Sequence, residues 1–263
     1  MLNQHPEIIV PPECGFALYW YAKYENRLVD ESYINDFLDD VAQSKKIENW
    51  NIDLSKLKKY VQKEQPNSYA ELAYLVYKFY GVSQAKNVSI IGDKNNFYTD
   101  YLAELKQIYP QSKILFLTRD GRDVACSYKA LNESKVKSIY KPILPIEIGD
   151  IANEWVHKNQ QILDYCSSID TNQWLHVRFE DLINNPVKTL TTVAEFLGTT
   201  YHANMLNYKQ DDSEPEDILQ WKKKTKENLD TNNINKFKRI LTEEEIQIFE
   251  DIASDMLSRF NYL

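Results

Sequence analysis

The residues best suited to chemistry lie in residues 117–128, LTRDGRDVACSY. An apolar run ends in Arg119, turns through Asp120-Gly121-Arg122-Asp123, and enters a helical pattern that carries Ser127. A guanidinium fork from one side and a hydroxyl from the other can converge on one anion. The start of the helix adds a dipole of the right sign. The same residues can instead close a salt-bridged turn, Arg119 with Asp123 or Arg122 with Asp120. Residue types alone leave both readings open. Two further charged groups follow apolar runs directly, Gly92-Asp93-Lys94 and Phe179-Glu180-Asp181. Glu13 follows the stiff pair Pro11-Pro12 and is placed to act as a base, or as a plain helix-start acid before Gly15.

Strand ends are what must position these groups. Residues 88–91 (VSII), 113–118 (KILFLT) and 174–179 (WLHVRF) are short, apolar and rich in β-branched or aromatic side chains, which predicts buried strands. Residues 8–10, closed by Pro11 and Pro12, predict a fourth, weaker one. Helical patterns separate them. Residues 68–80 predict a helix capped at Gly81, residues 99–109 one stopped by Pro110, and residues 150–166 a longer one. Asn185-Pro186 opens a helix that closes on Gly198. Thr242 with Glu245 forms a capping box for the last helix. The stretch from 207 to 242 is polar and poorly periodic, and reads as a surface segment. Strands alternating with helices predict an α/β three-layer sandwich around a central parallel sheet, as a single domain over 1–263. In such sheets ligands sit beyond the carboxyl ends of the strands, where the charged groups lie.

Composition narrows the partners. With 263 residues and 43% hydrophobic content the chain can bury a sizeable core. Its net charge of −8 argues against nucleic acid as a partner, while leaving room for a local anion site. Cys14, Cys126 and Cys166 show no CxxC spacing, so reduced thiols in a cytoplasmic setting are expected. The four histidines form no metal-ligand spacing, so no metal is expected. No apolar run is long enough to span a bilayer. The many tyrosines at 19–24 and 69–80 read as helical packing in preference to a substrate cleft.

Residues 117–128 resemble the 3′-phosphate-binding motif R-D-P-R-D-V-A-x-S of sulfotransferases that use 3′-phosphoadenosine 5′-phosphosulfate (PAPS), with Gly121 in place of Pro. Residues 90–113 are similar to the family's G-D-K-T-P segment and the helix after it. Residues 177–198 are similar to R-Y-E-D-L…D-P…F-L-G, and residues 221–263 to its W-K-K…F-G-Y ending. The opening MLNQHPEIIVPPE resembles the segment that follows the family's phosphosulfate loop, so the first strand and that loop are expected to be missing from an otherwise P-loop-like sulfotransferase fold, and the chain as written to transfer little sulfate.

The resemblance implies sulfuryl transfer from PAPS, as co-substrate, to a hydroxyl or amine on a small molecule, glycan or peptide. It implies Glu13 as base, by similarity to the tyrosylprotein branch, and Lys94 beside the transferring group. Arg119 and Ser127 match the residues that bind the 3′-phosphate. Phe179 stands where a Tyr stacks on adenine, and Lys222, Lys223 and Lys224 match a late basic segment over the nucleotide. Asn95 and Asn96 depart from the Thr-Pro of the pattern. The three late lysines read better as a solvated helix face. Two rivals carry the same fold: a non-catalytic relative that binds the desulfated nucleotide PAP, and a P-loop kinase-like enzyme, which the absence of a magnesium-binding motif disfavours.

Overall fold

The computed structural model describes residues 1–136, 138–210 and 227–263. Lys222, Lys223 and Lys224 lie outside the described residues. All four expected strands form, and they pair in parallel as two two-stranded sheets. The contacts of the chain group it into two compact units.

The first unit holds residues 1–112 together with the described residues from 201 to 210. Strand β1, Ile8–Ile9, pairs with β2, Ile90–Ile91, with Ile8 opposite Ile90. Three longer helices separate them, each begun by a side-chain cap. Asp30 accepts from the Tyr33 N–H ahead of Glu31–Ala42, and Asp53 from Ser55 and Lys56 ahead of Leu54–Glu64. Ser68 accepts from Glu71 ahead of Tyr69–Ser83. These helices bury an aromatic core in which Phe16 lies 4.8 Å from Tyr77 and 5.8 Å from Trp50 between ring centroids. Tyr24, Tyr33, Tyr69, Tyr77 and Tyr80 are all buried in it, so these tyrosines are packing residues. The helix from Tyr69 does not end at Gly81 as its sequence suggests. It runs on to Ser83, with Gly81 inside it and facing Val88, whose Cγ2 would lie 2.4 Å from an added Cβ.

In the second unit, residues 113–200 with 227–263, strand β3, Ile114–Thr118, pairs with β4, Trp174–Arg178, over five residues. Gly121–Glu133 and Ile148–Ser167 are the helices between them. Phe179–Asn184 follows β4, and Pro186–Leu197 then begins with its proline in the first turn. The last helix, Glu243–Arg259, opens with the capping box of Thr242 and Glu245. Its Phe249, Ala253, Met256 and Leu257 pack with Ile151 and Trp155 into one apolar cluster. The described part of the polar 207–242 stretch is not simply a surface segment. Phe237 and Leu241 are buried in that cluster, and the short helix Phe237–Ile240 carries the first of them. Among the described residues no helix is long and apolar enough to cross a membrane.

Candidate active site

In the first unit the structure brings Glu13 and Lys94 together across 81 residues of sequence. Lys94 follows β2 closely, and its Nζ donates to Glu13 Oε1 at 2.7 Å. Lys46, which sequence reasoning passed over, donates to Glu13 Oε2 at 2.9 Å. The Glu13 side chain is only 14% exposed, so both carboxylate oxygens are committed to ammonium donors in a partly dry setting. The segment before it is fixed as well: Trp50 donates its indole N–H to the Pro12 carbonyl at 2.8 Å. Cys14, next in sequence, is no rival nucleophile, because burial pushes its thiol up to about 12. Asp93 accepts from the hydroxyls of Tyr77, at 2.6 Å, and Tyr98, and from the Asn95 amide at 2.8 Å. The loss of water around that carboxyl raises it above the ordinary carboxylate range, against the tyrosine hydrogen bonds that lower it. Asn95 thus finds its place as a partner of Asp93, just beyond Lys94.

In the second unit Arg119 extends directly from the end of β3. Its guanidinium donates to the Asn233 carbonyl at 2.6 Å, stands 3.9 Å from Asp123, and lies 4.5 Å above the centre of the Phe179 ring. Phe179 is therefore first a shelf for Arg119. Arg119 Nε is buried with no hydrogen-bond partner among the described residues, as is Asp123 Oδ2. Ser127 lies one helical turn beyond Asp123, donates to its carbonyl at 3.1 Å, and accepts from Lys236 Nζ at 2.7 Å. Lys236 is only 8% exposed. Burial raises the Asp123 carboxyl, against the Phe237 N–H, Arg119 and Lys236, which lower it.

The salt-bridged turn that the sequence left open is also present. Arg122 is buried and holds Asp120 through two nitrogens, at 3.0 and 2.7 Å, while it donates to Glu250 and to the Tyr262 carbonyl. Arg122 and Asp120 thus build the turn, while Arg119 stands near Asp123 and Ser127 pairs with Lys236. Gly121 is required there by close packing, since an added Cβ would lie 2.6 Å from Phe249 Cζ and 2.7 Å from Trp155 Cδ2. Trp155 in turn donates to the Arg119 carbonyl at 3.2 Å. Lys236 was hidden in the polar stretch after 207. The spacing of Ile234, Phe237 and Leu241 by three and four residues is the signal that could have shown that this part packs. Among the described residues no group of three or more His, Cys, Asp or Glu side chains is placed to hold a metal.

Comparison with known proteins gives a consistent picture. Residues 1–203 match the sequence model of the sulfotransferase family. Protein-tyrosine sulfotransferase A of Caenorhabditis elegans is 25% identical over 121 residues, which is 45% of this chain and 30% of that protein. A putative protein-tyrosine sulfotransferase of Caenorhabditis briggsae is 27% identical over the same length, 45% of this chain and 40% of that protein. The match therefore spans well under half the length of these curated relatives. Two solved structures share the fold. A sulfotransferase domain from the Synechococcus PCC 7002 olefin synthase superposes with a TM-score of 0.58 at 20% identity, over 96% of this chain and 87% of that one. A sulfotransferase domain from the curacin biosynthetic pathway gives 0.57 at 18%, over 97% and 90%.

Proposed function

The chain belongs to the sulfotransferase family, and from that membership we propose that it moves a sulfuryl group from PAPS to a hydroxyl acceptor. The observation that carries the reading is the contact of Glu13 with Lys94 at 2.7 Å, a base and an acid for one transfer. Sulfuryl transfer resembles phosphoryl transfer, in which positioning and positive charge do most of the work. The acceptor oxygen attacks sulfur as the bond from sulfur to the 5′-phosphate oxygen breaks. Glu13 takes the acceptor's proton. Lys94 donates a hydrogen bond to the leaving oxygen, which keeps the electron pair and departs as part of PAP.

The residues around Arg119, taken within the second unit, suit a phosphate of the donor. A buried guanidinium nitrogen with no hydrogen-bond partner among the described residues, a hydroxyl and a largely buried ammonium make a donor set for a phosphate. Arg119, Ser127 and Lys236 are assigned to the 3′-phosphate in this reading, with Phe179 beneath Arg119 at the adenine. For the acceptor, the curated relatives named for protein tyrosine point to the phenolic hydroxyl of a peptidyl tyrosine.

The test is transfer of labelled sulfate from PAPS to a tyrosyl peptide by the full-length protein, with glycan and amine acceptors beside it. Glu13→Gln is expected to lower turnover by about 10²–10⁴ with PAP affinity nearly intact. Lys94→Ala should lower turnover and weaken PAPS more than PAP. Full turnover in Glu13→Gln places the base elsewhere and overturns the assignment. Transfer to the glycan or amine alone overturns the choice of acceptor but keeps the chemistry.

A further inference from the structure

The two lysines that hold Glu13 are unequal. Lys94 is 53% exposed along its side chain, and Lys46 is 22% exposed. Lys46 also occupies a costly backbone conformation, φ 74° and ψ 0°, in the left-handed region that side chains with a Cβ rarely adopt. Such strain persists where the surroundings impose it, and it clusters at working sites. Lys46 opens the short turn Ile47–Trp50, and Asn51, at its far end, is left-handed too, with φ 48°.

One short turn therefore reaches two consecutive residues. Trp50 holds the carbonyl of Pro12 at 2.8 Å, and Lys46 holds the carboxylate of Glu13 at 2.9 Å. The first bond fixes the backbone that delivers Glu13, and the second fixes its tip. The two lysines engage different oxygens of the carboxylate, since Lys46 takes Oε2 and Lys94 takes Oε1.

We propose that Lys46 is the positioning residue of the transfer base: it fixes Glu13 through Oε2, so that Oε1 stays aimed for the acceptor's proton when Lys94 turns to the leaving oxygen. The inference rests on the reading of Glu13 as the base. Lys46 acts on the reaction through the carboxylate of Glu13.

The backbone supplies an unusually clean variant. Lys46→Gly removes the ammonium and gives the left-handed position the residue it favours, so the fold is expected to be kept and the melting temperature not to fall. Turnover should fall by about 10- to 100-fold, the scale of a misplacement near 1 Å, with KM for PAPS unchanged. Lys46→Arg should recover most of the lost turnover. In a Glu13→Gln background, Lys46→Gly should cost nothing further, which a role elsewhere in the protein would not reproduce. If Glu13→Gln abolishes turnover and Lys46→Gly leaves it whole, the positioning role fails and the base assignment stands. A Lys46→Gly penalty of equal size in the Glu13→Gln background also overturns it. If Glu13→Gln itself keeps turnover, both fall together.

Discussion

Lys236 offers the sharpest test of the nucleotide assignment, because its side chain can lose its charge without losing its bulk. Lys236→Met keeps the aliphatic stem in its largely buried position and removes the ammonium that donates to Ser127 Oγ at 2.7 Å. Ser127 is not orphaned, since its hydroxyl still donates to the Asp123 carbonyl. Asp123 keeps Arg119 and the Phe237 N–H. The loss should therefore appear in ligand binding. A hydrogen bond to a charged group is worth about 1.5–3 kcal/mol. At about 1.4 kcal/mol per tenfold, the affinity for PAP should fall by about 10- to 150-fold. Adenosine 5′-phosphate lacks the 3′-phosphate, so its affinity should hardly change. Calorimetry with both nucleotides reads the difference, and a thermal melt shows that the variant is folded. The assignment is refuted if PAP binds as before, or if both nucleotides weaken by the same factor, which would move Lys236 from the 3′-phosphate to the frame of the protein.

Gly121→Ala places a methyl group against Phe249 and Trp155, and overpacking of this kind should cost about 1–3 kcal/mol of stability. Trp155 donates to the Arg119 carbonyl, so PAP affinity should fall along with the melting temperature; a stable variant with unchanged affinity would show that the rings yield without moving Arg119. Glu245 is held below the ordinary carboxylate range, first by its hydrogen bond from Lys129 and then by the Thr242 N–H. A depressed carboxyl stabilises the fold above its unfolded value near 4.5, and that contribution is lost as pH falls through the folded value. Glu245→Gln keeps the cap but not the charge, so it should cost about 0.5–1 kcal/mol at pH 7, and its melting curve should converge with that of the parent as pH falls below about 4.5. A gap that does not narrow would rule out the charge as its source.

The strands were legible because each is a continuous β-branched or aromatic run between polar residues, a pattern that needs no partner to be seen. The capping box of Thr242 and Glu245 and the proline start at Pro186 are equally local. Arg119, Lys94 and Glu13 stand out in the sequence because each lies just beyond a short apolar strand, and resemblance suggests their roles. Gly81 was misread because its function is a close approach to Val88, and a glycine near a helix end looks the same as a cap. Lys46 and Lys236 escaped for another reason. Their partners lie 33 and 109 residues away, and nothing in the local pattern separates a lysine aimed at a buried oxygen from one in water.

Both clusters follow one electrostatic plan. A strand-end residue meets its partner, and a lysine from a remote segment joins them, so that two cations surround one carboxylate. Glu13 has Lys94 and Lys46, and Asp123 has Arg119 and Lys236. A carboxylate alone would repel an anionic donor, and two unopposed cations in a partly dry setting would repel each other. With the carboxylate between them the cations can be held close together before any ligand arrives, and one positive charge remains over for the anion. That is how a chain of net charge −8 can present anion-binding groups. The excess of acid over base lies in the molecule as a whole, whereas the field at a bound phosphate is set by the few groups within a Debye length, of which the buried ones are screened least.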